Sequence, residues 1–224
     1  MSATTHNNGE TSGPVLTETP EELAYELRAA EGSIWTGTRL AIGIGVFAFA
    51  SLAFAYFYLR SNNAFNLWRP RGITAPTSFG AAVMAFTLAA AALAVLASRR
   101  LRGGQTTDWQ VAGWAAVLSG LIALALQIWE QTQLPFYPGS SGYASCYTGW
   151  AVMNMVLILG GIYWSETLLA RFMRLRRAFT EEGGAAGSPL PAARLFRANV
   201  EGAASFWIFV AVTEVFFWLL FYMI

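Results

Sequence analysis

Apolar and polar positions alternate along this chain in long blocks rather than residue by residue. Five apolar blocks run from Leu40 to Leu59, Thr77 to Ser98, Trp109 to Trp129, Tyr147 to Ser165 and Ala203 to Ile224. The first four contain no Asp, Glu, Lys or Arg, and the fifth contains only Glu214. A helix needs about 20 mainly apolar residues to cross a hydrocarbon layer roughly 30 Å thick, and each block is long enough. The pattern predicts an all-α, integral membrane bundle of five transmembrane helices, spanning about 40–59, 77–98, 109–129, 147–169 and 203–222.

Composition narrows the picture further. Only 12% of residues are charged, against about 25% in an average soluble domain. Five spans and their connections use the chain from residue 39 onward, so 39–224 is expected to be one membrane domain preceded by a polar segment, 1–38. A net charge of +1 argues against a nucleic-acid partner, which needs clustered basic residues. Cys146 is the one cysteine and His6 the one histidine. No intramolecular disulfide or thiolate cluster can form, and no imidazole lies in an apolar block to hold haem or copper. The chain is therefore expected to bind no redox metal and to contain no catalytic residue; a membrane enzyme working alone would need clustered His or Cys or paired carboxylates.

The first 38 residues hold six glutamates and one arginine, without the basic start and apolar core of a secretory signal, so the segment is expected to remain attached. Residues 1–19 read as disordered. From Thr19, the run Thr19-Pro20-Glu21-Glu22 offers a cap, a proline at the first helical position and acids in the first turn, predicting a short helix to about Ala30.

All fourteen basic residues are arginines. Arg28, Arg39, the group Arg99 to Arg102 and the six between the fourth and fifth blocks fall on one side, eleven in all, against Arg60, Arg69 and Arg71 on the other. The positive-inside rule puts the N-terminus in the cytoplasm and the C-terminus outside, where Phe221 and Tyr222 suit an interfacial end. Gly103-Gly104 reads as a tight turn, Thr180 to Pro191 as a flexible linker, and Ser61 to Pro76 and Gln131 to Cys146 as ordered interfacial caps.

Four polar side chains inside the apolar blocks are candidates for contacts between helices or between subunits. Gln127 and Glu130 lie one turn apart on a shared face of the third span. Asn154 sits alone in the fourth, where an amide commonly bonds across helices. Glu214 lies near the middle of the fifth, where an ionised carboxylate costs at least about 2.5 kcal/mol. Two readings stand for it: a protonatable group or anchor to another subunit, and a protonated acid satisfied by Thr213, Asn154 or a backbone carbonyl. Glu166, five residues before Arg171, is expected to snorkel toward the headgroups. Gly43, Gly45, Ala48 and Ala89 to Ala94 suggest close helix packing, with Gly160-Gly161 either packing or lining a lipid cleft. The aromatic run from Phe206 to Tyr222 covers all sides of the last helix, so part of it is expected to meet lipid or protein.

Several segments carry a family likeness. Ala55-Tyr56-Phe57-Tyr58-Leu59-Arg60 followed by Trp68-Arg69-Pro70, then Gln127-Ile128-Trp129-Glu130, then Gly142-Tyr143-Ala144-Ser145 with Thr148-Gly149, then Phe206-Trp207-Ile208-Phe209-Val210 resemble, in this order, motifs of subunit III of haem-copper oxidases. The set covers nearly all of residues 39–224, and the five-helix plan is similar to the family's shorter bacterial and quinol-oxidase versions. The departures lie in acid and imidazole groups: Ile44-Gly45-Val46 stands where the family has a buried glutamate, Ala151 to Asn154 where it has His-x-x-His, and Ile208 and Ala211 where it has His and Asp.

The resemblance implies a non-catalytic subunit of a bacterial terminal oxidase in the plasma membrane. Its partners would be the catalytic subunit I, which with subunit II holds haem and copper and reduces oxygen to water. This chain would support the catalytic subunit's stability and proton supply and hold phospholipid between its helices. The accessory subunit of nitric oxide reductases shares the same plan and remains an alternative. An independent transporter is a third reading, for which a single mid-membrane acid makes a poor polar path.

Overall fold

The computed structural model describes residues 19–63, 68–70, 73–181 and 191–224, those of 175–181 and 191 by backbone alone. Its regular elements are helices: α1 (Pro20–Ser61), α2 (Thr77–Arg102), α3 (Thr106–Thr132), α4 (Gly142–Glu181) and α5 (Pro191–Trp218), the last continuing into a π-helical turn, Leu219–Met223. All five are long and apolar enough to cross a membrane. The outward face of α1 carries Phe47, Phe54 and Ile44, each more than 70% exposed, and α3, α4 and α5 expose Val111, Val156 and Val212. Lipid satisfies such a surface and water does not; the protein is an all-helical, multi-pass membrane protein.

The helices overrun the apolar blocks. The short helix expected to end near Ala30 is instead continuous with the first span, making α1 42 residues long, or about 63 Å. Its start is as expected: Thr19 accepts from the Glu22 backbone N–H, and the Glu22 carboxylate accepts from the Thr19 N–H, with Pro20 in the first turn. Nothing between Ala30 and Leu40 stops the helix, because no proline intervenes, and the hydroxyls of Ser33, Thr36 and Thr38 donate to carbonyls one turn back. The putting together of two elements into one rod is a correction to the sequence reading.

At the other connection, α4 runs through Thr180 to Glu181 and α5 begins at Pro191. The ends assigned to the linker thus belong to helices, and its middle lies outside the described residues, as does the segment before Thr19. An apolar block marks membrane depth, whereas helix continues through charged residues that favour it as well.

The start of α1, the α2–α3 turn, the end of α4 and the start of α5 share one end of the bundle. Arg194 of α5 bonds Glu31 of α1 at 2.7 Å, and Arg102 of α2 bonds Glu201 of α5 at 2.6 Å. Here the α2–α3 turn is closed by Gly104 at φ +78°, a left-handed conformation that glycine adopts freely. In cross-section α1 packs on α4 and α5, α4 on α3, α3 on α2, and α2 on α5, with α4 and α5 also in contact. The fifth helix is the most enclosed, with 56% of its most apolar stretch buried against 17% for α1.

Small residues choose faces within this ring. A side chain at Gly45 would overlap the Phe209 ring, and one at Gly161 or Gly120 would overlap Trp207, whose indole N–H donates to Ser165. Gly43, in contrast, has nothing near it, so it faces outward and does not pack as expected. Most of the α5 aromatics, including Phe206, Trp207, Phe209, Phe217 and Phe221, are buried inside the bundle. Phe216 is the aromatic of this run that stands clearly exposed.

Candidate functional site

Gln127, Glu130, Asn154 and Glu214 are all fully buried, and the fold brings them into one region between α3, α4 and α5. On α3, Gln127 and Glu130 face inward one turn apart. On α4, Tyr147 and Asn154 lie seven residues apart, close to two full turns and so on one face. On α5, Glu214 and Tyr222 are eight apart; in an uninterrupted α-helix that spacing would turn Tyr222 about 80° from Glu214. The π-helical turn reduces the offset by putting more residues into each turn, as the Ile224 N–H bond to Leu219 O shows.

Asn154 is the centre of the first group of contacts. Its Nδ2 donates to Gln127 Oε1 at 2.9 Å and to Glu214 Oε2 at 2.6 Å. Three helices are thereby joined through one amide. The Glu214 carboxyl thus finds its partner within the bundle; Thr213 instead donates to the Phe209 and Val210 carbonyls. In the second group, Tyr222 O–H donates to Glu130 Oε1 at 2.6 Å. Since that uses the Tyr222 proton, the Tyr147 hydroxyl, 2.8 Å away, donates to Tyr222. Gly80 on α2 makes room for the Tyr222 ring, which any side chain there would overlap.

A layer of aromatic residues closes the site toward the end of the bundle where the chain terminates. The last carbonyls of a helix lack intrahelical donors, and here tyrosines supply them: Tyr56 of α1 donates to Leu220 O at 2.8 Å, and Tyr143 of α4 donates to Phe221 O at 3.0 Å. Tyr143 also accepts from the Ala75 N–H, and its own N–H donates to Trp68 O. Trp68 packs edge-on against Tyr56 at 5.0 Å, while the Arg69 guanidinium stands 4.7 Å from the Tyr143 ring. The described part of the α1–α2 connection is thus tied to the helices it covers, residues 64–67 and 71–72 lying outside the described residues, and Phe136 of the α3–α4 connection packs edge-on against Tyr143 and Tyr147.

Sequence reasoning named the four acids and amides but missed Tyr147, Tyr222, Tyr56 and Tyr143 as their partners and neighbours. The available signal was the hydroxyl each tyrosine carries into an apolar helix, where it needs an acceptor. Glu166 lies apart, exposed on α4 and sharing a surface groove with Arg171 and Arg174. Cys146 is buried in the first turns of α4. Among the described residues no group of three or more His, Cys, Asp or Glu side chains is placed to hold a metal ion. The cluster's chemistry is that of hydrogen bonding and proton sharing between two carboxyls, two amides and two phenols. No protein-family model matches the chain, and no curated protein matches it.

Proposed function

We propose that this chain is a non-catalytic subunit of a bacterial terminal respiratory oxidase, similar to subunit III of the haem-copper family. One observation carries the reading: Tyr56, Trp68, Glu130 and the adjacent pair Gly142 and Tyr143, which come from separate segments of the family resemblance, meet around the C-terminal turn of α5. Gly142, for instance, lies against the Trp68 ring so closely that a side chain would overlap it. Segments matched one by one along the sequence thus form a single structural unit, as parts of one inherited scaffold would.

In this reading the partner subunits hold haem and copper and reduce oxygen, and this chain stabilises them in the plasma membrane. The end of the bundle that carries most of the arginines faces the cytoplasm. Apolar grooves on both flanks of α5, one lined by Leu88, Val95, Ile208 and Val212, the other by Phe49 and Phe216, suit phospholipid acyl chains. The transporter alternative draws no support from the buried polar groups, since Gln127, Glu130, Asn154 and Glu214 form one enclosed cluster rather than a path along the bundle.

The test is to solubilise membranes of the source cell in mild detergent and capture the tagged chain. The expected result is co-purification with a haem-bearing membrane protein in a complex that consumes oxygen. Consumption of nitric oxide instead would assign the related reductase complex. Recovery of the chain without any haem-bearing partner would overturn the proposal.

A further inference from the structure

Beyond the two groups of hydrogen bonds in the α3–α4–α5 cluster, the same side chains present polar atoms with no protein partner. Gln127 Nε2, Asn154 Oδ1, Glu130 Oε2 and Glu214 Oε1 are each buried and unpaired. So is the indole N–H of Trp150, which lies one turn from Asn154 on α4 and is itself fully buried. Donors and acceptors are both represented, on three helices, within a short length of the bundle.

Reassigning the amides does not remove the deficit. Asn154 and Gln127 each have a donor end and an acceptor end. In the present arrangement Asn154 uses its donor end twice and Gln127 its acceptor end once. Turning both amides over pairs the opposite ends and leaves the other two bare. Glu214 behaves in the same way: with one oxygen bonded to Asn154, the second carries either an unpaired lone pair or an unpaired O–H. In lipid no bulk water is available to the site, so the missing partners have to be held inside the protein.

We infer that the α3–α4–α5 cluster is a binding site for internal water, held between Gln127, Asn154, Glu214 and Glu130 and joining the two hydrogen-bonded groups into one network. Water fits because it both donates and accepts, and buried water typically makes about three hydrogen bonds to groups otherwise unsatisfied. An apolar ligand would leave the same atoms bare. The unpaired set contains oxygens and N–H donors together, and N–H donors such as Gln127 Nε2 and Trp150 Nε1 would repel a bare cation. With water in place, a continuous chain runs from Gln127 through Asn154 and Glu214 to Glu130, Tyr222 and Tyr147, extending over about 10 Å of bundle length. A proton on either carboxyl can then be shared with the other through the water, without any path to the bulk. The inference rests on the cluster's own geometry and stands whichever complex the chain belongs to.

The experiment is infrared spectroscopy on the full chain in lipid nanodiscs, equilibrated in ordinary water and in water enriched in oxygen-18. Enclosed water gives O–H stretching bands that shift with the isotope. These bands are expected in the unaltered protein and are expected to move in frequency in both E214Q and E130Q, which preserve side-chain shape. S33A, in the first part of α1 with its exposed hydroxyl bonded to a carbonyl one turn back, should leave them unchanged. Absence of isotope-sensitive bands in the unaltered protein would overturn the inference, and needs no variant. Bands that respond to neither glutamate variant, or equally to S33A, would overturn it as well.

Discussion

Asn154 supplies the donor for two oxygens on two other helices, at 2.9 Å to Gln127 and 2.6 Å to Glu214. Asn154→Leu would leave both acceptors buried and bare, and each such group costs about 1–3 kcal/mol. A clear drop in the thermal unfolding temperature of the detergent-solubilised protein is expected. Glu214→Gln retains an oxygen for Asn154 and should unfold within a few degrees of the parent, whereas Glu214→Leu should fall with Asn154→Leu. Equal stability of all three variants would show that the amide does not join the helices. Glycine positions give a second contrast. Gly161→Val forces a side chain into Trp207 and is expected to cost about 1–3 kcal/mol by overpacking. Gly43→Ala meets nothing and should be neutral or slightly stabilising, because alanine is the better helix former by up to about 1 kcal/mol.

Among the elements, α1 and the C-terminal turn of α5 depend most on their neighbours. The extension of α1 beyond the membrane is held by helix continuity and by the Glu31–Arg194 pair, an exposed ion pair of modest strength. Gly32→Pro would interrupt the helix just beyond Glu31, a change costing about 3 kcal/mol in a helix interior. Hydrogen exchange read by mass spectrometry is expected to speed up across residues 20–31 and to stay unchanged in the spans. Unchanged protection in 20–31 would mean that the extension folds as a separate helix, as the cap signals alone had suggested. The π-helical turn is fixed from outside by Tyr56 and Tyr143. Tyr56→Phe should destabilise by about 1 kcal/mol, and the double variant with Tyr143→Phe should loosen Tyr222 from Glu130, seen as faster exchange in residues 219–224.

At the scale of the whole molecule the prediction concerns orientation. The basic end of the bundle gathers the start of α1, the α2–α3 turn, the end of α4 and the start of α5, and the fold leaves Arg60 and Arg69 at the other end. Reporter fusions at Thr106 and Gly184 are expected to read cytoplasmic, and fusions at Asn66 and Ser140 to read external. An external signal at Gly184 would reverse the assignment drawn from the arginines. The same experiment tests the up-and-down order of α2, α3 and α4, because the four sites follow α1, α2, α3 and α4 in turn along the sequence and the signal should alternate from each to the next.

The number of spans was legible in the sequence for a physical reason: in lipid every backbone group must be paired within its segment and every outward side chain must be apolar, so each helix announces itself locally. The uncharged blocks at 77–98 and 109–129 fall within α2 and α3 on this basis alone. The need for partners at Gln127, Glu130, Asn154 and Glu214 was legible too, since an unpaired polar group in hydrocarbon is costly wherever it stands. Who supplies those partners was not. Asn154 and Glu214 are 60 residues apart, and Glu130 and Tyr222 92 apart; their meeting depends on how each helix is rotated about its axis and on a π turn that no propensity signals. Gly43 and Gly45 look alike in sequence, but only Gly45 meets Phe209. Between membrane helices there is little hydrophobic drive to favour one face over another, so rotation and neighbour order are set by close packing and hydrogen bonds, which exist only once all five helices are in place.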